Sequence, residues 1–282
     1  MPGTLYVCAT PIGNLEDITL RAIRVLREVD LIVAEDAARA RKLMAHHGIH
    51  TPLGPNLAQQ VENQRTGAVV DRLARGENVA LVAAAGTPLI SDPGYPLVRA
   101  CIQADIPVVP VPGPTAFLAA AVAAGLPLDA LLFVGYLPRK AGPRRRRLAE
   151  LIAVPYTTAV YESPRRLLTT LTELAELCPD RQLVVARELT KAHEEFLRGT
   201  AVQLAAEVRR RGGLRGEIVI LVAPAPPPQP APLDPDILRA RYQEFLASGR
   251  TPRQALRELA DELAIPRRRL YQLIHGLARG GP

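Results

Sequence analysis

Along the chain, short runs of apolar residues alternate with longer stretches in which apolar side chains recur every three or four positions. The short runs Leu5–Ala9, Leu31–Glu35, Val79–Ala84, Pro107–Val111 and Leu131–Tyr136 have the length of strands. Between and beyond them, helical periodicity marks Leu15–Glu28, Ala37–His47, Thr66–Arg75, Pro96–Ala104 and Thr115–Ala124. Strand and helix in alternation predict an α/β domain with a mainly parallel sheet, placed at residues 1–138. After the basic segment "PRKAGPRRRR" a second set predicts a smaller α/β domain at 139–223. Its strands lie at Thr157–Tyr161, Leu183–Arg187 and Glu217–Val222, and its helices at Pro164–Leu177 and Val202–Arg210. The Pro-rich stretch "APAPPPQPAPLDP" reads as an extended linker at 224–235. In the last segment, 236–282, two short helices about a turn at Ala264–Pro266 read as a helix-turn-helix-like unit, with Arg267, Arg268 and Arg269 opening the second helix. A plain amphipathic helical pair packed on its own chain explains the same pattern.

The chain has 282 residues, 48% hydrophobic and 22% charged, the composition of an ordinary globular protein. The uncharged span from Ile106 to Leu128 is interrupted by five prolines, which excludes a spanning helix. No basic segment followed by an apolar run opens the chain, so no signal peptide is expected. Cys8, Cys101 and Cys178 are far apart and odd in number, which argues against a disulfide framework and for a cytoplasmic protein. His46 and His47 lack a ligand spacing partner, and no metal is expected. A net charge of +7 is compatible with a polyanionic partner. Lys42, Lys140 and Lys191 are the only lysines, however, and the arginine bias of a GC-rich coding sequence accounts for the charge equally well.

In open α/β sheets ligands bind beyond the carboxyl ends of the strands, which directs attention to the loops. The first, Thr10-Pro11-Ile12-Gly13-Asn14, has one glycine where a pyrophosphate loop needs several. Pro11 lacks an N–H, and Glu16 and Asp17 would repel an anion. Strand two ends in Glu35-Asp36, strand three in "AGTPLISDPG" with Asp92, and strand four in "PVPGPTA" with Gly113 and Thr115. A cleft rimmed by acids, without a phosphate grip, fits a cationic ligand with hydroxyls and an adenine; S-adenosylmethionine matches that description.

The words "TPIGNLEDITLRAIRVL", "AED", "AGTPLISDPGYPLV", "VVPVPGPTA", "YESPRRLL", "ARELTKAHEEFLRGT" and "LRGEIVILV" resemble, in order, the tetrapyrrole-methylase-like methyltransferases over residues 3–223. They are most similar to the branch that methylates the 2′-hydroxyl of a cytidine in bacterial small-subunit ribosomal RNA. The resemblance implies two α/β domains, a mainly parallel sheet and a smaller mixed one, with S-adenosylmethionine between them, commonly in a homodimer. Carried over by position, it implies that Pro11, Gly86, Asp92, Thr115, Ala116, Glu162, Leu189 and Ile218 line the donor site. It also places Glu188 and Lys191 at the cleft, as groups that position or activate the accepting hydroxyl, with Asp36 from another strand end. Arg144–Arg147 would track RNA phosphates, or form a solvated face.

The branch usually carries Ser-Asp where this chain has Ala83 and Ala84, Thr where it has Ala37, and a His/Asn/Glu cluster where it has Gln60, Val61 and Glu62. Three functions therefore follow from the resemblance: ribosomal RNA ribose methylation, methylation of a small tetrapyrrole-like acceptor, and binding of RNA or the small ribosomal subunit without catalysis.

Overall fold

The computed structural model describes residues 1–58, 60–227, 234–263 and 265–275. These form one compact unit of Met1–Ala225 and a second of Pro226–Pro282.

In the first unit, β1 (Leu5–Cys8), β2 (Leu31–Ala34), β3 (Val79–Val82) and β4 (Val108–Val111) make a parallel sheet of order β2-β3-β1-β4. All four residues of β2 and all four of β3 are buried, because helices cover both faces. On one face α1 (Leu20–Glu28) and α2 (Ala37–His46) contribute Ala22, Leu26 and Leu43 to the core. On the other, α3 (Glu62–Ala74) and α4 (Tyr95–Gln103) contribute Leu73, Leu97 and Cys101. Each fully buried leucine stabilises the fold by roughly 1.5–3 kcal/mol. The stretch expected as one helix at 15–28 is divided into a 3-10 turn, Leu15–Asp17, and α1, since Thr19 caps α1 by accepting the Ala22 N–H. A short helix, α5 (Ala116–Val122), follows β4.

The second sheet contains β5 (Leu131–Tyr136), β6 (Thr157–Glu162), β7 (Gln182–Arg187), β8 (Glu195–Thr200) and β9 (Ile218–Val222), in the order β5-β6-β9-β7-β8. Here β5 and β6 are parallel, and β9 runs antiparallel to both β6 and β7. The expected grouping of residues 131–136 with the first domain is thus corrected: β5 hydrogen-bonds to β6. Helices α7 (Pro164–Leu177) and α8 (Ala201–Arg210) bury Leu167, Leu171, Leu204 and Val208 against this sheet.

Three elements go beyond the sequence pattern: β8, a helix at Ala141–Ala153 and, in the second unit, a helix at Pro235–Ala247. Strand β8 is an edge strand of half-buried residues, so it lacks the alternation that marks a strand. Helix α6 (Ala141–Ala153) was masked by its arginines. Arg144 occupies a buried position there and is neutralised by Glu173, 2.7 Å away. Arg145 and Arg147 are likewise engaged by Glu176 and Glu150. Three of the four arginines expected to track RNA are therefore paired within their own domain.

The second unit packs α9 (Pro235–Ala247), α10 (Pro252–Glu262) and α11 (Arg267–Ile274) around Leu238, Tyr242, Leu259, Leu270 and Ile274. A capping box between Thr251 and Gln254 starts α10. Arg267, Arg268 and Arg269 are exposed at the start of α11. Ala264 of the expected turn, residues 228–233 of the linker and residues 276–282 lie outside the described residues. Among the described residues no helix is long and apolar enough to cross a membrane.

Candidate functional site

All four strands of the first sheet end on one side, which brings together loop 10–14, Glu35 and the segment 83–92. In the second sheet the antiparallel course of β9 matters more. Its first residue, Ile218, pairs with Glu162 at the end of β6 and with Arg187 at the end of β7. Glu217 therefore stands beside the carboxyl ends of two neighbouring strands. These groups enclose two adjoining cavities of about 260 and 160 Å3, which share Ile12, Arg39, Ala84, Ala85 and Glu217 as walls.

The first loop is tied on both sides. Thr10 exchanges backbone hydrogen bonds with Gly86, 2.8 and 3.0 Å. The Asn14 N–H donates to Thr190 Oγ1 at 3.0 Å. Gly13 permits this approach: a Cβ there would lie 2.5 Å from Lys191 Cγ and 2.8 Å from the Leu189 carbonyl oxygen. The turn it meets is itself unusual, with Glu188 at φ 49° and Thr190 at φ 64°. Left-handed backbone at non-glycine residues concentrates at sites where surrounding contacts enforce it.

Lys191 projects from that turn into the larger cavity. Its ammonium donates to Glu188 at 2.8 Å and to Glu217 at 3.3 Å. Burial alone would lower its pKa, but the bonds to Glu188 and Glu217 outweigh burial and hold it above the ordinary lysine value. Glu188 is correspondingly lowered, first by Lys191 and then by the Glu217 N–H. Lys191 is thus a fixed cation and cannot serve as a base.

In the smaller cavity Asp92 faces Glu35 and Glu217. Its carboxyl is pushed up to about 7, mainly by burial and further by those two acids. Glu35 accepts the Ala84 N–H at 2.9 Å, which fixes its carboxylate beside this wall. Tyr136 and Tyr161 complete the cavity, their ring centroids 5.5 Å apart. Acids and aromatic faces together suit a cation.

The expected site residues divide. Gly86, Asp92, Ala116 and Ile218 line the smaller cavity, and Pro11 and Lys191 line the larger. Asp36 is instead the N-cap of α2, its Oδ1 accepting the Ala38 and Arg39 N–H groups. Glu162, expected at the donor, is buried and saturated by Arg166, Thr170 and the Ser163 N–H. Leu189 packs in the core between α5 and the second sheet. Thr115 precedes α5 and hydrogen-bonds Thr87 at 2.7 Å. Glu188 lines neither cavity and accepts a hydrogen bond from Lys191 at 2.8 Å. Glu217, Arg39, Lys42, Tyr136 and Tyr161 were not expected. Ala84, one of the positions where a polar residue is usual, forms the wall between the cavities, and Ala83 lines the larger one.

Residues 4–205 match the family model described as Tetrapyrrole (Corrin/Porphyrin) Methylases. A protein of Synechocystis sp. named ribosomal RNA small subunit methyltransferase I is 45% identical over 274 residues, covering 96% of this chain and 97% of its own. The protein of the same name in Pseudomonas aeruginosa is 48% identical over 223 residues, 78% of this chain and 79% of its own. Among solved structures, a cobalt precorrin-4 methyltransferase superposes with a TM-score of 0.60 at 22% identity, covering 78% of this chain and 94% of that one. Uroporphyrin-III C-methyltransferase from Thermus thermophilus, complexed with S-adenosylhomocysteine, gives 0.58 at 20% identity, covering 78% and 97%. These two share the fold.

Proposed function

The chain belongs to the tetrapyrrole methylase family, in the group of the ribosomal RNA small subunit methyltransferase I proteins, and from that premise we propose that it transfers a methyl group from S-adenosylmethionine to the 2′-hydroxyl of a cytidine in small-subunit ribosomal RNA. The observation that carries the assignment is the pair of joined cavities, one acidic and aromatic, the other holding a fixed cation.

The smaller cavity fits the donor on its own chemistry. Glu35, Asp92 and Glu217 offer negative charge, Tyr136 and Tyr161 offer aromatic faces, and no cluster of glycine N–H groups is present to favour a pyrophosphate. When bound, the donor supplies an electrophilic methyl on a positive sulfur. This chain's own residues address the acceptor. Lys191, held by Glu188, orients the hydroxyl and stabilises the negative charge that develops on its oxygen as the proton departs. Glu217, between both cavities, is the carboxylate placed to receive that proton. Ala83 and Ala84 supply walls and no chemistry, so activation rests on Lys191 and Glu217.

The protein acts in the cytoplasm, where its substrate is, and pairs with a second copy. Exposed Val109, Leu118 and Val122 on β4 and α5 support that pairing, and a single-chain mass by light scattering would remove it.

Transfer of labelled methyl from S-adenosylmethionine to undermethylated small ribosomal subunits, with the label mapped to a ribose 2′-oxygen of cytidine, tests the assignment. Lys191→Ala should lower the single-turnover rate by about 10²–10³, the loss typical of an oxyanion-stabilising donor, with donor affinity retained. Donor binding by the wild-type chain without any transfer to subunits would reduce it to an RNA-binding relative.

A further inference from the structure

We propose that Arg39 and Lys42 of α2 grip the phosphodiester backbone flanking a single unpaired nucleotide whose ribose reaches Lys191 in the 260 Å3 cavity. The inference rests on the ribosomal RNA reading above and deepens it. All three cations line this one cavity. Arg39 and Lys42 are three residues apart, hence on the same face of α2.

Their charge is available. Among the described residues Lys42 makes no ion pair, and the Arg39 contact with Asp36 is 4.0 Å long. The Asp36 carboxylate is already engaged by the Ala38 and Arg39 backbone N–H groups. The arginines of α6 show the alternative: Arg144, Arg145 and Arg147 are matched with glutamates of the same domain. Exposed cations that line a cavity without a close carboxylate partner suit an anion at its rim.

Size and lining identify what lies between the phosphates. A volume of about 260 Å3, open to solvent, has room for one nucleoside. Ala40, Ala83, Ala84 and Ala85 give part of the lining methyl groups alone, beside the polar side chains of Thr10, Arg39, Lys42, Lys191 and Glu217. A ribose inside a duplex cannot reach Lys191, because its neighbours hold it in the stack; the nucleotide must be unpaired and splayed.

The test is binding of a short fluorescent single-stranded RNA of mixed sequence, and of its duplex, to the full chain across a salt series. The single strand should bind more tightly than the duplex. Lys42→Ala should weaken single-strand binding by on the order of tenfold at low salt and reduce the salt slope by about 0.7, the contribution of one single-strand phosphate. Lys42→Arg should restore both, S-adenosylmethionine affinity should be unaltered, and in transfer assays KM for subunits should rise more than kcat falls. Unchanged slope and affinity in Lys42→Ala and Arg39→Ala, or duplex binding equal to single-strand binding, would overturn the proposal. The two readings fail separately. A wild-type chain that binds RNA as described but transfers no methyl sinks the ribosomal assignment alone, whereas a Lys42→Ala chain with wild-type KM on subunits sinks the grip alone.

Discussion

Replacing Asp92 with asparagine should abolish a pH dependence of donor binding that the wild-type cleft imposes. In the donor-free protein burial, Glu35 and Glu217 raise Asp92 to about 7, so near neutrality it is half protonated. A sulfonium beside it favours the carboxylate, and an opposite charge at short range typically lowers such a pKa by about 1–3 units. With a drop of about 2 units, linkage makes S-adenosylmethionine bind roughly 50-fold more weakly at about pH 5 than at about pH 8, equivalent to about 2.3 kcal/mol. Calorimetry across that range measures it directly. S-adenosylhomocysteine, which lacks the positive sulfur, should give a much shallower profile, and Asp92→Asn a flat one for both ligands. A flat wild-type profile would refute the reasoning, and equal slopes for the two ligands would remove Asp92 from the sulfonium. The same group has a stability consequence of opposite sense. The unfolded chain ionises near 3.8 and the folded chain only near 7, so this group's contribution to stability falls as pH rises between those values. Asp92→Asn should therefore raise the melting temperature at about pH 8 in the absence of donor.

Two further outcomes follow from contacts in the first unit. Gly13→Ala should lower the melting temperature and the methyl-transfer rate together, because its Cβ would collide with Lys191 and with the Leu189 carbonyl; a variant with both at wild-type values would show that the first loop is free to move. Arg144→Ala should destabilise the protein by about 1.5–3 kcal/mol in denaturant titrations, since it leaves the partly buried Glu173 without the two hydrogen bonds of its partner. RNA affinity of that variant should stay unchanged, and a large loss of it would restore α6 to the RNA surface.

Three of the expected cavity-lining residues are legible through the parallel-strand rule. Pro11, Gly86 and Asp92 follow β1 and β3 directly, so a search of carboxyl-end loops finds them. Glu217 escaped because it precedes a strand, and only the antiparallel direction of β9 carries it to the same edge. Asp36, an acid at a strand end, also stands just before a helix, and there its carboxylate caps α2. Arg39 and Lys42 lie within the helix expected at 37–47, and pattern alone does not reveal that their face borders a cavity. The sheet membership of β5 was hidden because a parallel neighbour leaves no local signature; a hairpin partner would have announced itself through a tight turn.

The three acids around the smaller cavity also bear on how turnover ends. On the proposed placement, Glu35, Asp92 and Glu217 stabilise the donor while its sulfur is positive, and methyl transfer removes that charge. Interactions that favour the ground state more than the transition state add affinity without adding rate, so these carboxylates oppose the chemical step by part of what they contribute to binding. The compensation comes afterwards. Once the sulfur is neutral, the mutual repulsion of the acids is no longer screened, and Asp92 regains its proton or the thioether product leaves. On this placement the crowding of like charges favours a fresh donor over the spent one, by the share of affinity that the acids give to a positive sulfur.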